Sequence, residues 1–254
     1  MQRYFLEVAY NGARYAGFQR QENSVTIQSE VEKAMQVYYR KPFNLTGSSR
    51  TDAGVHAYQN YFHFDGDEAG DMHPEEAVYH LNAILPSDIV IRKMIPVGAE
   101  AHSRFDAIAR SYRYVVYRQK DPFLYQRAYY YPYQLNIERM QEAASEVMLY
   151  TSFEAFSKKN TQVHTYECAI SQSVWREELG MLYYEVTANR FLRGMVRGLT
   201  GTMLKVGRGK LSMEAFRDIL RARVHASAVF DVPAHGLYLV RVLYPALDER
   251  KSFC

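Results

Sequence analysis

Cysteine is nearly missing from this chain: Cys168 and Cys254 are the only two in 254 residues. So low a count excludes a disulfide framework and a cysteine-based metal centre, and it suits a reducing compartment. Long apolar runs are missing as well. No stretch approaches the ~20 residues that a membrane-spanning helix needs. The opening MQRYFLEVAY goes straight into a strand-like pattern and lacks the apolar core of a signal peptide. The chain is expected to be soluble and cytoplasmic, with no membrane partner. A large excess of one charge is also absent, since the formal net charge is only +3. No Gly/Ser-rich or Pro-rich linker interrupts the sequence, so one continuous body is expected. With 48% hydrophobic and 23% charged residues, long disorder is excluded too.

What is present is unevenly placed. Residues 186–211 carry six basic side chains (Arg190, Arg193, Arg197, Lys205, Arg208 and Lys210) and no acidic one. Such local asymmetry fits either a phosphate-binding surface or a solvated basic face.

Apolar periodicity orders the rest. Residues 4–10 read as a buried strand that ends at the turn signal Asn11-Gly12. Ile27, Val31, Ala34, Met35 and Tyr38 mark a helix; residues 60–65 a strand, 74–81 a short helix and 89–95 another strand. The order then recurs. Residues 111–118 read as a strand, and Ile137, Met140, Ala144, Val147 and Met148 mark a helix. Residues 169–175 and 182–188 suggest neighbouring strands with a turn near Gly180. A long helix is expected over about 190–206, another after the N-cap candidate Ser212, and a last strand over 236–242. Each half, 1–108 and 109–254, therefore reads as β-α-β-β-α-β, the ferredoxin-like pattern. The expected class is α+β: two such halves joined into one largely antiparallel sheet, helices on one face, and a catalytic cleft between the halves.

The run Gly47-Ser48-Ser49-Arg50-Thr51-Asp52-Ala53-Gly54-Val55-His56-Ala57 precedes a strand and should form a loop at a strand end. Small neighbours on Asp52 would let a planar substrate approach its carboxylate. Arg50 offers a planar fork for a phosphate or carboxylate. On physical grounds alone Asp52 is either catalytic or a loop-capping residue. Farther on, Arg190, Arg193 and Arg197 are spaced by three and four, which on one helix makes a basic stripe. Phe191, Met195, Leu199, Met203 and Val206 would face the core. Arg190 and Arg193 are candidates for phosphate contacts.

Arg50 to Ala57 resembles the signature of the TruA family of tRNA pseudouridine synthases. So do Tyr10-Asn11-Gly12, Gly17-Phe18-Gln19, Ile27-Gln28, residues 81–86 (LNAILP), residues 102–107 (HSRFDA) and residues 233–239 (PAHGLYL), in the family's order. The resemblance implies isomerisation of uridine to pseudouridine at positions 38 to 40 of the tRNA anticodon arm, without cofactor or metal, by a homodimer. It makes Asp52 the catalytic carboxylate, attacking either C6 of the base or C1′ of the ribose. It pairs Arg197 with Asp52, where the alternative is one more phosphate contact, and it places Tyr112 against the target base, where the alternative is packing. Arg104 becomes a candidate for holding the displaced strand, and Leu237 either an apolar wall of the pocket or a core residue. The sequence departs from the family pattern at Phe18, Ser48-Ser49, Glu167-Cys168 and Arg193-Gly194, which bears on which uridines are chosen. A tRNA-binding chaperone without turnover would have no need of the Asp52–Arg197 pair, and an RRM-type module would show RNP motifs, which are absent. Gly207-Arg208-Gly209-Lys210 fails as a P-loop because Leu204 and Leu211 occupy its outer positions. His63, Asp65 and Asp67 suggest metal ligands, yet nothing nearby completes a site.

Overall fold

Residues 4–10, rich in aromatic and aliphatic side chains, lie in strand β1 (Arg3–Tyr10) of the computed structural model, which describes residues 2–66, 73–158, 164–222, 224 and 228–248. Helix α1 (Ile27–Tyr39) follows. Thr26 and Ser29 close a reciprocal capping box at its start, and Ile27, Val31, Ala34 and Met35 are buried along one face. Next come β2 (Thr46–Gly47), β3 (His56–Asp65), α2 (Pro74–Ile84) with Pro in its first turn, and β4 (Ile89–Val97). Strand β1 runs antiparallel between β3 and β4, with Phe5 opposite His63 on one side and Ile95 on the other. Strand β2 adds to β3 through Thr46 and Gly47.

In the second unit β5 (Ala109–Tyr117) is followed by β6 (Tyr129–Tyr130), α3 (Ile137–Val147), β7 (Ile170–Glu178), β8 (Met181–Ala188), α4 (Met195–Gly207) and α5 (Met213–Arg221). Strand β8 lies antiparallel between β5 and β7. Leu179 and Gly180, both at positive φ, make the tight turn between β7 and β8. Ser212 caps α5 by accepting from the Ala215 amide at 3.1 Å. The core here centres on Trp175, stacked on Tyr184 at 5.2 Å, with its Nε1 donating to the Met203 sulfur at 3.4 Å.

The final strand, β9 (Leu237–Leu243), is placed by sequence order in the second half. Instead it pairs in parallel with β3, His56 opposite Tyr238 and Ala57 opposite Leu239. Tyr244 packs edge-on against Phe5 and Tyr61 at 5.2 and 5.1 Å. From Tyr238 on, the chain is thus part of the first unit, and the two units are 1–108 with 238–254, and 109–237. The class is α+β, with nine mostly antiparallel strands among the described residues, as expected. Among the described residues no helix is long and apolar enough to cross a membrane.

A second difference concerns the long helix. It begins at Met195, five residues later than its apolar spacing suggests, because Gly194 sits in the left-handed region at φ 78° and cannot continue a helix backwards. Asn189 holds the preceding segment in a non-helical path: its side-chain oxygen accepts from the amides of Ala169 and Arg190, each at 2.8 Å. Arg190 and Arg193 therefore lie in a loop, and they form no helical stripe with Arg197. Phe191, likewise off the helix, packs edge-on against Tyr112 at 5.0 Å.

Candidate active site

The loop carrying Asp52 leaves β2 at Gly47 and enters β3 at His56. Its backbone is fixed from both sides. The Phe18 amide donates to Thr51 O at 3.1 Å, the Gly54 amide to Tyr15 O at 3.3 Å, and the Val55 amide to Asp52 O at 3.2 Å. Beneath it lies a polar network on β1 and β3. The Tyr10 hydroxyl bonds to Thr51 Oγ1 at 2.8 Å and accepts from Asn60 Nδ2 at 3.1 Å; Ser48 Oγ donates to Asn60 Oδ1 at 2.6 Å. Asn60 is 0% exposed and Ser48 1%. Deleting any member strands a buried partner, at about 1–3 kcal/mol. The Asp52 side chain itself is half-buried, while Arg50 and Ala53 are exposed.

Gly12 needs its missing side chain, since a Cβ there would sit 1.9 Å from Val55 O. That approach lets the Gly12 amide donate to His56 Nδ1 at 3.0 Å, so the neutral ring carries its proton on Nε2. His56 is buried and stacks on Tyr238 at 4.6 Å, so it braces the loop structurally. Phe18 is buried and stacks on Phe62 at 4.3 Å.

The 102–106 segment is pinned nearby through Ser103, whose Oγ donates to Thr46 O at 3.0 Å and bonds His63 Nδ1 at 2.8 Å, with the Tyr244 hydroxyl on its carbonyl. Burial, helped by the charges of His102 and Arg3, holds His63 down to about 4, against the opposing pull of Asp65 and Asp106. The unfolded chain takes up this proton below about 6.5 and the folded chain only near 4, so stability is lost as pH falls through that window. The expected loss is about 3 kcal/mol at pH 4, and it should be smaller in His63→Gln. Denaturant unfolding of both proteins at pH 7 and 4 checks this; equal losses would rule His63 out as the cause. Asp65, the other suspected metal ligand of the described residues, is engaged by Arg3 at 2.7 and 3.1 Å. Asp67 lies outside the described residues.

In the second unit, Arg197 is in the first turn of α4. Its Nε and Nη2 donate to Val232 O at 2.9 and 2.6 Å, and Nη2 reaches Phe230 O at 3.4 Å. Thr202, further along α4, accepts from the Val229 amide at 3.0 Å and so holds the same segment against the helix. Tyr114 is fully buried, with its hydroxyl on Pro233 O at 2.6 Å. Burial raises its pKa far out of reach, with the Arg197 charge opposing the rise. Tyr112 is half-exposed on β5 and braced by Phe191. Arg190 is half-buried and Arg193 exposed, its carbonyl accepting from the Lys158 amide at 3.1 Å. Leu237 is buried at the start of β9. Burial lifts the free thiol of Cys168 to about 11, well above the reactive range. Gly207 to Lys210 form the end of α4, with the Lys210 amide on Lys205 O at 2.9 Å; this is a helix terminus, not a strand-loop-helix phosphate cradle.

Of the candidates, Arg50 and Arg104 share one hollow of about 210 Å³ in the first unit, beside the Asp52 loop. Tyr112, Arg190, Arg193, Arg197 and Leu237 belong to the second unit. Sequence reasoning missed the buried tether through Tyr10, Asn60 and Ser48. Two of its members lie on strands whose alternation marks them only as inward-facing.

The chain is similar to known proteins over most of its length. The family model described as tRNA pseudouridine synthase matches residues 7–106 and 151–245. The tRNA pseudouridine synthase A of Porphyromonas gingivalis is 44% identical over 248 residues, 97% of this chain and 98% of its own length. That of Parabacteroides distasonis is 42% identical, covering 96% and 97%, and that of Bacillus subtilis 35% identical, covering 93% and 97%.

Proposed function

The chain belongs to the tRNA pseudouridine synthase family and is an isomerase acting on tRNA, and we propose that it works through the Asp52 carboxylate on uridines 38 to 40 of the anticodon arm. The observation that carries this reading is the Asp52 loop. Its backbone and flanking hydroxyls are fixed by buried bonds, which supports a carboxylate held in place before substrate arrives. The reaction breaks the N1–C1′ bond, turns the base, and joins C5 to C1′. The C5 proton leaves and N1 regains one, so no co-reactant is consumed. A carboxylate is suited to it because it forms an ester-like or adduct bond and departs again. A base within a stem must also leave its stack, at a few kcal/mol.

In this reading Arg197 keeps Asp52 ionised and aimed. Its guanidinium already rests on the Val232 carbonyl, which supports a fixed orientation for that task. Tyr112, braced by Phe191, lies against the target base. Arg50, Arg104, Arg190 and Arg193 take phosphates, and Leu237 is an apolar wall. The working enzyme is a cytoplasmic homodimer. Mapping pseudouridines in an unmodified tRNA transcript after incubation tests the choice of substrate positions. New pseudouridine within 38 to 40 is expected; modification confined to another arm contradicts the assignment.

A further inference from the structure

The first unit displays an exposed phenylalanine on a rigid turn that its fold does not explain. Phe105 is 74% exposed. The turn that displays it is nevertheless strongly fixed: the His102 amide donates to Asp106 Oδ2 at 2.8 Å, and the Asp106 amide returns a bond to His102 O at 3.1 Å. Ser103, 0% exposed, anchors the turn to β2 and His63. Ordering a surface turn this firmly costs chain entropy, and holding a large ring in water gains nothing for stability.

The ring stands at the hollow lined by Arg50, His102, Arg104 and Phe105, with Phe18 and Gln19 also on its wall. No carboxylate is among its lining residues, so the local field favours an anion. The Arg104 guanidinium lies 5.8 Å from the Phe105 ring centre, and the His102 ring 4.3 Å from it. His102 Nδ1 accepts from the amides of Arg104 and Phe105 at 3.1 and 3.3 Å, which leaves Nε2 as the ring's donor. About 210 Å³ is below the ~300–1,000 Å³ of cofactor and drug pockets, and suits a single base or phosphate. Arg50 is two residues from Asp52, at most roughly 7 Å along the chain. That is a reach of about one nucleotide.

Resting on the function proposed above, we propose that this hollow is a subsite for the nucleotide adjoining the target uridine, its phosphate on Arg50 and Arg104 and its base on the Phe105 ring. Stacking on an aromatic face is tolerant of base identity, so the subsite serves several tRNAs and adds affinity rather than sequence choice. Binding of tRNA carrying 5-iodouridine on one or the other side of the target, followed by irradiation and peptide mapping, tests it with the intact enzyme. One of the two neighbours should crosslink to Phe105. Phe105→Ala should weaken tRNA binding roughly tenfold, and Phe105→Trp should restore it. Phe123→Ala, which removes a still more exposed ring in the second unit, should leave binding unchanged. If neither neighbour labels Phe105 in an enzyme that still forms pseudouridine, or if Phe105→Ala binds as the parent does, the subsite is wrong. If the parent enzyme forms no pseudouridine, the function reading fails and the subsite with it.

Discussion

Asp52→Asn is expected to abolish pseudouridine formation, by at least ~10⁴-fold in single-turnover rate, while tRNA affinity stays within about twofold. The substitution keeps the side chain's size and removes its nucleophilic oxygen. The loop should survive it, because the bonds that fix it run through Thr51, Ser48, Tyr10 and Asn60 and through the backbone on either side. Removing a negative charge beside RNA, if anything, favours binding slightly. Asp52→Glu should also fail: it retains the charge but displaces the carboxylate by about one methylene, and a misplacement near 1 Å costs on the order of 10²-fold. Quenched-flow measurement at saturating enzyme, beside filter binding, reads both quantities. Near-normal turnover in Asp52→Asn would end the mechanism.

Arg197→Ala should lower the single-turnover rate by at least ~10²-fold while leaving the salt dependence of tRNA binding nearly unaltered. A guanidinium already committed to the Val232 and Phe230 carbonyls, and in the proposed reading to Asp52, releases few RNA counterions. The same bonds mean that the alanine variant also strands Val232 O, at about 1–3 kcal/mol of stability. Arg197→Lys keeps the charge and loses the fork, so it separates the two effects: stability should largely recover, the rate only in part. Arg190→Ala and Arg193→Ala should behave differently. Both residues lie in the loop before α4, and each replacement should weaken binding and reduce the slope of log affinity against log salt by roughly one unit or less. A flattened salt slope with an intact rate in Arg197→Ala would remove it from the site of chemistry.

Much of the fold was legible because apolar spacing reports burial directly. Ile27, Val31, Ala34 and Met35 marked α1, and the pattern around Gly180 marked the turn between β7 and β8. The start of α4 was not legible from spacing. Phe191 continues the apolar period of Met195, Leu199 and Met203, but the side-chain bonds of Asn189 and the left-handed Gly194 outweigh that pattern. Nor does sequence order reveal that β9 returns to the first unit, since its parallel pairing with β3 is a long-range choice made by His56, Tyr238 and Tyr244. The site was legible mainly through the Arg50 to Ala57 resemblance. The tether beneath it was not, because Asn60 and Ser48 show their roles only once β2 and β3 are paired.

Release of tritium from tRNA labelled at C5 of uridine is the most direct measure of the central claim, because the C5 proton must leave each time a uridine becomes pseudouridine. With unmodified tRNA and enzyme in excess, the account predicts release that accompanies pseudouridine formation one for one in the parent protein, and none above background in Asp52→Asn. Release that is absent from the parent, or equal in the two proteins, would contradict it.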